Sequence, residues 1–334
     1  MNATVRHIIS RIFLYFVVII VGITVIFVVP RIGPADPVEA ALSRVLMMGE
    51  YTDPKIVDSM LASLRVAYGL EGSLWDQYIS FLQRAFTGNF GYSIFSRSLT
   101  VNEIIARCLP WTIGLLFTAT LLSWLLGNFI GLIAGYYARK STRIFETIAL
   151  IVQPVPYYIL ALMLIYLLSY LVKFFPSSGG YAPGRVPQLS LPFIIDVLRH
   201  SFLPALSLIL GGYGWTFLSM QAIVKTVKKE DYVVFAKIRG LPQNKIMTRY
   251  VMKNSMLPQF TQLALRLGSI FNGALITEIV FGYPGLGYQL YLAITTFDLT
   301  VMMGIVTISI IALASSVLIL DIVYPLIDPR IRFR

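Results

Sequence analysis

Cys108 is the only cysteine, and His7 and His200 are the only histidines, among 334 residues. One thiol cannot close an internal disulfide, and two distant imidazoles offer no zinc-type ligand set, so no metal-binding residue is expected. A nucleophile–His–acid constellation is also missing, because His7 sits in a basic head and His200 beside the end of an apolar run. No G-x-x-x-x-G-K-[ST] phosphate loop occurs, so ATP is not bound by that route and no catalytic residue is expected. The chemistry that remains is grip and leverage. It concentrates in Glu230–Pro258, EDYVVFAKIRGLPQNKIMTRYVMKNSMLP, a polar and strongly basic insert between two apolar runs.

The insert reads as two short helices set at an angle about a glycine. Glu230 and Asp231 open the first, where acidic groups meet the positive end of the helix dipole. Tyr232, Phe235, Ala236 and Arg239 follow at helical spacing, and Gly240 can adopt the left-handed conformation that ends a helix. Leu241–Pro242 restarts the chain, with Pro242 suited to a first helical turn. Ile246, Met247, Tyr250 and Val251 form an apolar stripe, with Lys245, Arg249 and Lys253 off it. Leu257–Pro258 is expected to end this second helix. Such a pair could lie on lipid headgroups, held by its lysines, or dock to a soluble protein.

The elements that must position this insert are membrane spans. The chain is 57% hydrophobic and 13% charged, with mean hydropathy +0.76, where soluble domains are about a quarter charged. It is therefore expected to be an all-α, polytopic membrane protein. Six spans are expected: Ile12–Val29, about Trp111–Tyr136, Thr147–Val172, Phe202–Met220, about Leu263–Val280 and Val301–Tyr324. Each can cross a hydrocarbon layer of about 30 Å at about 1.5 Å per residue. Pro30, Arg31 and Pro34 follow the first run in place of a small-residue cleavage site, which argues for an anchor rather than a signal peptide.

Charge orients the spans. Sixteen Lys and Arg fall in the head, the second-to-third connection, the fourth-to-fifth connection and the tail. The short connections of the other side carry only Lys173, Arg185 and Arg199. Both termini are therefore expected in the cytoplasm. The net charge of +11 belongs to these inner loops, and no nucleic-acid partner is implied.

Three regions follow along the chain. Residues 1–29 are a cytoplasmic head and first span, 30–110 an extracytoplasmic insert, and 111–334 a core with its cytoplasmic loop at about 221–260. Inside the outer insert, Val38–Met48, Pro54–Tyr68 and Leu74–Phe86 have helical spacing, separated by glycines. SSGGYAPGRVPQLSLP reads as an irregular loop, and no internal repeat is apparent. Glu146, Arg266 and Asp321 fall at expected span ends, where ordinary interfacial carboxylates and guanidinium groups are common, although an ionisable group inside a span is costly and then functional.

The basic insert resembles the EAA loop of permease subunits of ATP-binding-cassette importers. The triplet aligned with Glu-Ala-Ala is Val234-Phe235-Ala236, three residues before Gly240, so the Glu is missing. Asp231-Tyr232-Val233 and Leu257-Pro258 are similar to the peptide/nickel branch, which departs in this way. Pro34-Ala35-Asp36-Pro37 resembles that branch's P-G-D-P, and Gly88-Asn89-Phe90-Gly91-Tyr92-Ser93 its G-D-L-G-x-S. Glu278, Phe281, Pro284, Gly285 and Gly287 fit its E-x-x-F-x-x-P-G-x-G. Each motif is weak alone, and four in order across the chain are strong.

The resemblance implies a type I importer permease fold with a large extracytoplasmic insert after the first helix. It implies that Asp231, Tyr232, Phe235, Ala236, Lys237, Arg239, Gly240 and Leu241 meet an ATPase subunit. It also implies that Glu278, Phe281, Pro284, Gly285 and Gly287 shape the outer end of the pathway. For Glu278, an ordinary interfacial carboxylate held by local hydrogen bonds is the equal alternative. Implied partners are a second, homologous permease in a heterodimer, two ATPases carrying ATP and Mg²⁺, an extracytoplasmic solute-binding protein and the bilayer of a prokaryotic inner membrane. This chain binds no cofactor itself. An ion-coupled transporter or channel would need charges lining its path, and mid-span positions here are almost free of them. The solute reads as oligopeptide, with oligosaccharide or nickel as alternatives.

Overall fold

The computed structural model describes residues 3–32, 59, 62–63, 65–66, 69–93, 99–138, 140–268, 270 and 275–327. The expected helix Val38–Met48, most of Pro54–Tyr68, the Pro34–Pro37 motif and the basic tail lie outside the described residues.

Helix α1 (Ala3–Ile32) is the first span. It lies against the last helix, α12 (Leu299–Ile327). Gly22 makes the close approach possible, since a Cβ there would meet Ile310 Cδ1 at 2.9 Å. Tyr15 Oη and Ser315 Oγ are 3.2 Å apart, and Arg11 pairs with Asp321 at 3.1 Å near one end. Helix α2 (Leu74–Thr87) of the outer insert begins at a capping box between Ser73 and Asp76. It is stitched to α1 by a Thr24–Tyr78 hydroxyl contact of 2.7 Å and by Arg31 Nε donating to Gln77 Oε1 at 3.3 Å.

The centre of the molecule is the pair α3 (Val101–Tyr137) and α6 (Leu191–Val227), each of 37 residues, about 55 Å long at the helical rise. Gly127, Gly131 and Gly135, one per turn, face α6. A Cβ at Gly131 would sit 2.7 Å from the Phe217 carbonyl oxygen, and one at Gly127 2.7 Å from Thr216 Cβ. In lipid there is no hydrophobic drive between helices, so backbone approach of this kind supplies the packing.

One expected span differs in the structure. Thr147–Val172 is not one rod: α4 (Arg143–Val152) and α5 (Tyr157–Leu164, continued by a π-helical stretch Ile165–Leu171) meet at a bend of 107°. Pro154 and Pro156 lie at the break; a proline lacks the amide donor and turns its predecessor away from helix. Of the expected span Leu263–Val280, the described residues lie in α9 (Lys253–Gly268), at Ile270 and in α10 (Leu275–Val280), and the remainder lie outside the described residues. Among the described residues, four helices are long and apolar enough to cross a membrane, or five with the bent pair as one.

The second span also starts ten residues before Trp111. Thr100 and Glu103 form a capping box, with Thr100 N donating to Glu103 Oε2 at 2.9 Å and Glu103 N to Thr100 Oγ1 at 3.2 Å. Helix α11 (Leu286–Thr296) follows, outside the six expected spans.

Candidate functional site

At one end of the α3–α6 pair stands the basic elbow. Helix α7 (Asp231–Ile238) opens at Glu230 as N-cap. Gly240 takes φ +73, the Gly240 amide donates to the Lys237 carbonyl at 3.0 Å, and the Leu241 amide donates to the Ala236 carbonyl at 3.3 Å. These two reversed bonds close the helix in a Schellman arrangement, and Leu241 packs in the same apolar cluster as Ala236. The expected glycine stop is therefore formed by conformation: a Cβ on Gly240 would meet nothing within 4 Å.

Helix α7 is rooted by two pegs. Val233 is fully buried and Ala236 nearly so, among Leu132 and Tyr136 of α3 and Met220 and Val224 of α6. Ile246 and Val251 close the cluster from the other arm, which consists of α8 (Gln243–Ile246) and a π-helical turn Met247–Met252. Tyr136 Oη donates to the Gln243 carbonyl at 3.3 Å, and the Tyr137 hydroxyl donates to Asn244 Oδ1. Lys228 Nζ donates to the Tyr136 carbonyl. Burial, and then Lys237, hold the Lys228 ammonium below its ordinary pKa.

Among the described residues nothing covers the opposite face of α7. Phe235 is 57% and Ile238 77% exposed, with Lys237 and Arg239 exposed beside them. The Arg239 guanidinium lies 4.9 Å from the centre of the Phe235 ring. Phe235 and Ala236, read from spacing as one series, thus face opposite ways. Val233 is the inward peg that spacing alone did not single out. Two smaller expectations change. Pro242 is the N-cap of α8, with ψ 140, rather than its first helical residue. Pro258 lies inside α9, because the π turn before it carries the chain on without a break.

At the other end, the residues Glu278, Phe281, Pro284, Gly285 and Gly287 come together as one compact nest. The Glu278 carboxylate is fully buried. Its Oε1 accepts from Thr112 Oγ1 at 2.7 Å. Oε2 accepts from the amides of Gly287 at 2.6 Å and Tyr288 at 3.3 Å, in the first turn of α11, whose N-cap is Gly285. Glu278 thus does from nine and ten residues away what a capping side chain does locally, placing negative charge on the helix N-terminus. Thr112 also accepts from the Leu286 amide at 2.8 Å.

The nest has no spare room. A Cβ at Gly285 would fall 2.3 Å from the Glu278 carboxyl carbon, and one at Gly287 2.8 Å from Leu275 Cα. Phe281 is buried, and its carbonyl accepts from the Gly179 amide at 2.8 Å. Pro284 lies over Gly180, where a Cβ would meet it at 2.7 Å. The Gly-Pro loop is thereby held against the nest. Thr112, the partner that completes the site, carries no motif in the sequence.

The Gly88–Ser93 motif forms a link from the outer insert to α12. Gly88 ends α2 at φ 69 and Gly91 has φ 80, Tyr92 bridges to Thr100, and Ser93 Oγ donates to Asp298 Oδ2 at 2.6 Å. Asp298 Oδ1 accepts from the Val301 amide at 3.1 Å and so caps α12. Asp321 is engaged by Arg11, and Glu146 lies half-buried in the first turn of α4. Arg266 differs from its expected place at a span end. It reaches Thr216 Oγ1 at 3.1 Å and the Gly212 carbonyl at 3.5 Å, level with the middle of the apolar run 202–220.

A bundle of membrane-length helices, with a basic elbow at one end and a buried helix start at the other, fits a membrane transport subunit. Residues 127–333 match the family described as binding-protein-dependent transport system inner membrane component, and the chain belongs to that family. It is a permease subunit of an ATP-binding-cassette importer of the peptide/nickel type, multi-pass in the inner membrane. It is 31% identical over 313 residues, 92% of each chain, to a Brucella suis protein provisionally named a peptide permease. The Bacillus subtilis oligopeptide transport system permease is 29% identical over 319 residues, 94% of this chain and 96% of its own. The Lactococcus lactis dipeptide transport system permease is 26% identical over 338 residues, 98% of this chain and 99% of its own. Family membership replaces the ion-coupled transporter or channel as a reading.

Proposed function

We propose that the chain forms half of the pathway of an ATP-driven peptide importer, with α7 as the lever that receives the work. The elbow side is cytoplasmic, as the distribution of Lys and Arg requires, and both termini lie on that side. Asp231, Tyr232, Phe235, Lys237 and Arg239 present the surface that enters an ATPase subunit, while Ala236, Gly240 and Leu241 hold its shape. ATP and Mg²⁺ reside on two such ATPases. A second, homologous permease completes the pathway as a heterodimer. The solute-binding protein docks on the outer side, where the Glu278–Gly287 nest fixes the start of α11 and so the outer rim. The regions divide as 1–29, 30–110 and 111–334, with the lever in the last.

The observation that carries the lever is the two-faced α7. Val233 and Ala236 are sunk between α3 and α6, so force on the exposed Phe235–Ile238 face passes directly into the two longest helices of the bundle. A helix resting on lipid would put its apolar residues on one face, whereas here Lys237 and Arg239 share the free face with Phe235 and Ile238. Peptide is favoured as solute because the relatives named above are peptide permeases that match along nearly their whole length. The oligosaccharide alternative has no support among them. The test is uptake of a labelled dipeptide into liposomes carrying the full complex, with binding protein on one side and ATP on the elbow side. Uptake that needs both is expected; uptake without ATP would overturn the reading.

A further inference from the structure

The first and last helices part around a groove at one end of their apolar spans. Arg11 of α1 directly precedes the apolar run that starts at Ile12, and Asp321 of α12 lies one residue before the end of the apolar span Leu299–Ile322. The two side chains meet at 3.1 Å through Nη1 and Oδ2, and 41% of the arginine and 29% of the aspartate side chain stay exposed. Beside this pair lies a groove of about 190 Å³, walled by Leu14, Tyr15 and Val18 on α1 and by Leu313, Val317 and Leu318 on α12. It extends from the charges toward the middle of the spans by seven residues of α1, about 10 Å at the helical rise. Leu14, Val18 and Val317 on its walls are exposed.

Exposed ion pairs add little to stability, and α1 and α12 are already joined by the close approach at Gly22 and by the Tyr15–Ser315 contact. A clamp therefore explains the pair poorly and leaves the groove unexplained. Basic pockets between spans take the phosphates of lipid headgroups. Here the arginine is accompanied by a carboxylate, which repels an anionic headgroup and suits one that carries both signs. One contact does not exhaust either group, since the guanidinium fork has further N–H donors and the carboxylate a second oxygen. We propose that Arg11, Asp321 and the groove beside them bind a phospholipid with an ethanolamine headgroup. The phosphate accepts from Arg11, the ammonium donates to Asp321, and one acyl chain fills the groove. A choline headgroup has no N–H to donate to the carboxylate. The inference needs only that α1 and α12 cross the bilayer, and it is independent of the transported solute.

The test is competition among three lipids with identical dioleoyl chains and ethanolamine, choline or glycerol headgroups. They are offered together to the delipidated, detergent-purified complex, and the lipid retained on the permease is counted by native mass spectrometry. Wild type is expected to retain the ethanolamine lipid about tenfold over the choline lipid, the worth of one hydrogen bond to a charged group. Asp321→Asn should abolish that preference and shift retention toward the anionic glycerol lipid, while Arg11→Gln should lower retention of all three. Val317→Trp, which fills the groove and leaves both charges, should lower retention of the ethanolamine lipid as well. Comparing headgroups within one variant separates recognition from any loosening of the helix pair. Equal retention of the ethanolamine and choline lipids by wild type, or an unchanged preference in Asp321→Asn, would overturn the site. A benzophenone side chain at Leu14 that crosslinks to a second permease subunit in place of lipid would overturn it too, because a protein helix would then occupy the groove.

Discussion

Gly240 of the elbow and Gly285 of the nest are both motif glycines, and they are glycines for opposite reasons. Gly240 has φ +73 and open space where a side chain would be. Gly285 has φ −92, which any residue adopts, but the Glu278 carboxylate occupies the space of its Cβ. One position requires a conformation and the other requires room. The contrast extends to the whole regions. The elbow is held by apolar pegs and shows an exposed mixed face, the surface that the proposed grip by an ATPase subunit would use. In the nest, the buried carboxylate is bonded on both oxygens, and the glycines are closed over it, the anatomy of something that must not move. In the proposed mechanism the elbow is the handle that transmits displacement and the nest the fixed point it works against.

The sharpest way to break the comparison is Gly240→Pro. Proline forbids φ +73 and removes the amide that bonds to Lys237, at a cost of about 3 kcal/mol or more. The complex is expected to assemble in the membrane with ATP hydrolysis uncoupled from uptake, as measured by the ratio of solute moved to ATP hydrolysed. An unchanged ratio would mean that the elbow is not the lever. Phe235→Asp should come next. Exposed aromatics that become buried on docking behave as hot spots worth roughly 2–4 kcal/mol, so affinity for the ATPase should fall about thirtyfold or more. The thermal midpoint of the isolated permease should hardly change. Titration of purified ATPase against nanodisc-embedded permease gives the number.

At the nest the same logic predicts the reverse pattern. Gly285→Ala should destabilise the permease by about 1–3 kcal/mol, the usual range for overpacking a filled site, while ATPase affinity at the elbow stays put. A thermal unfolding series with Glu278→Gln as companion separates room from charge, since the amide keeps the shape and weakens the charge-assisted bonds. The smallest effect belongs to Gly240→Asn. Asparagine visits the left-handed region at modest cost, and no neighbour obstructs it, so coupling should stay within about twofold of wild type. If Gly240→Asn were as damaging as Gly285→Ala, the distinction between conformation and room would be lost.

Much of the elbow was legible because its signals are local. Gly240 as a stop, Glu230–Asp231 as a start and the basic flank are statements about one or two turns of chain, and the structure keeps them. Phe235 and Ala236 show where locality ends: both suit a helix, but which of them faces inward depends on where α3 and α6 lie. The start of the second span was also written locally, in Thr100-x-x-Glu103, and was obscured by hydropathy, which registers the lipid-facing stretch and not the helix that continues beyond it. Pro154 and Pro156 likewise signalled a bend inside a run whose apolarity suggested a rod.

By itself the sequence determined that the chain is a helical membrane protein with a basic hinged insert and four ordered motifs of an importer permease. Composition, period and special residues act through the nearest few residues, and those are known from the chain alone. Only the tertiary structure decided that Thr112 closes the Glu278 nest, that Val233 is the peg of the lever, and that Arg266 lies level with the middle of the apolar run of α6. Each of these depends on residues tens to more than a hundred and fifty positions apart being brought within a few ångströms. Spacing along a chain carries no record of that until the helices pack.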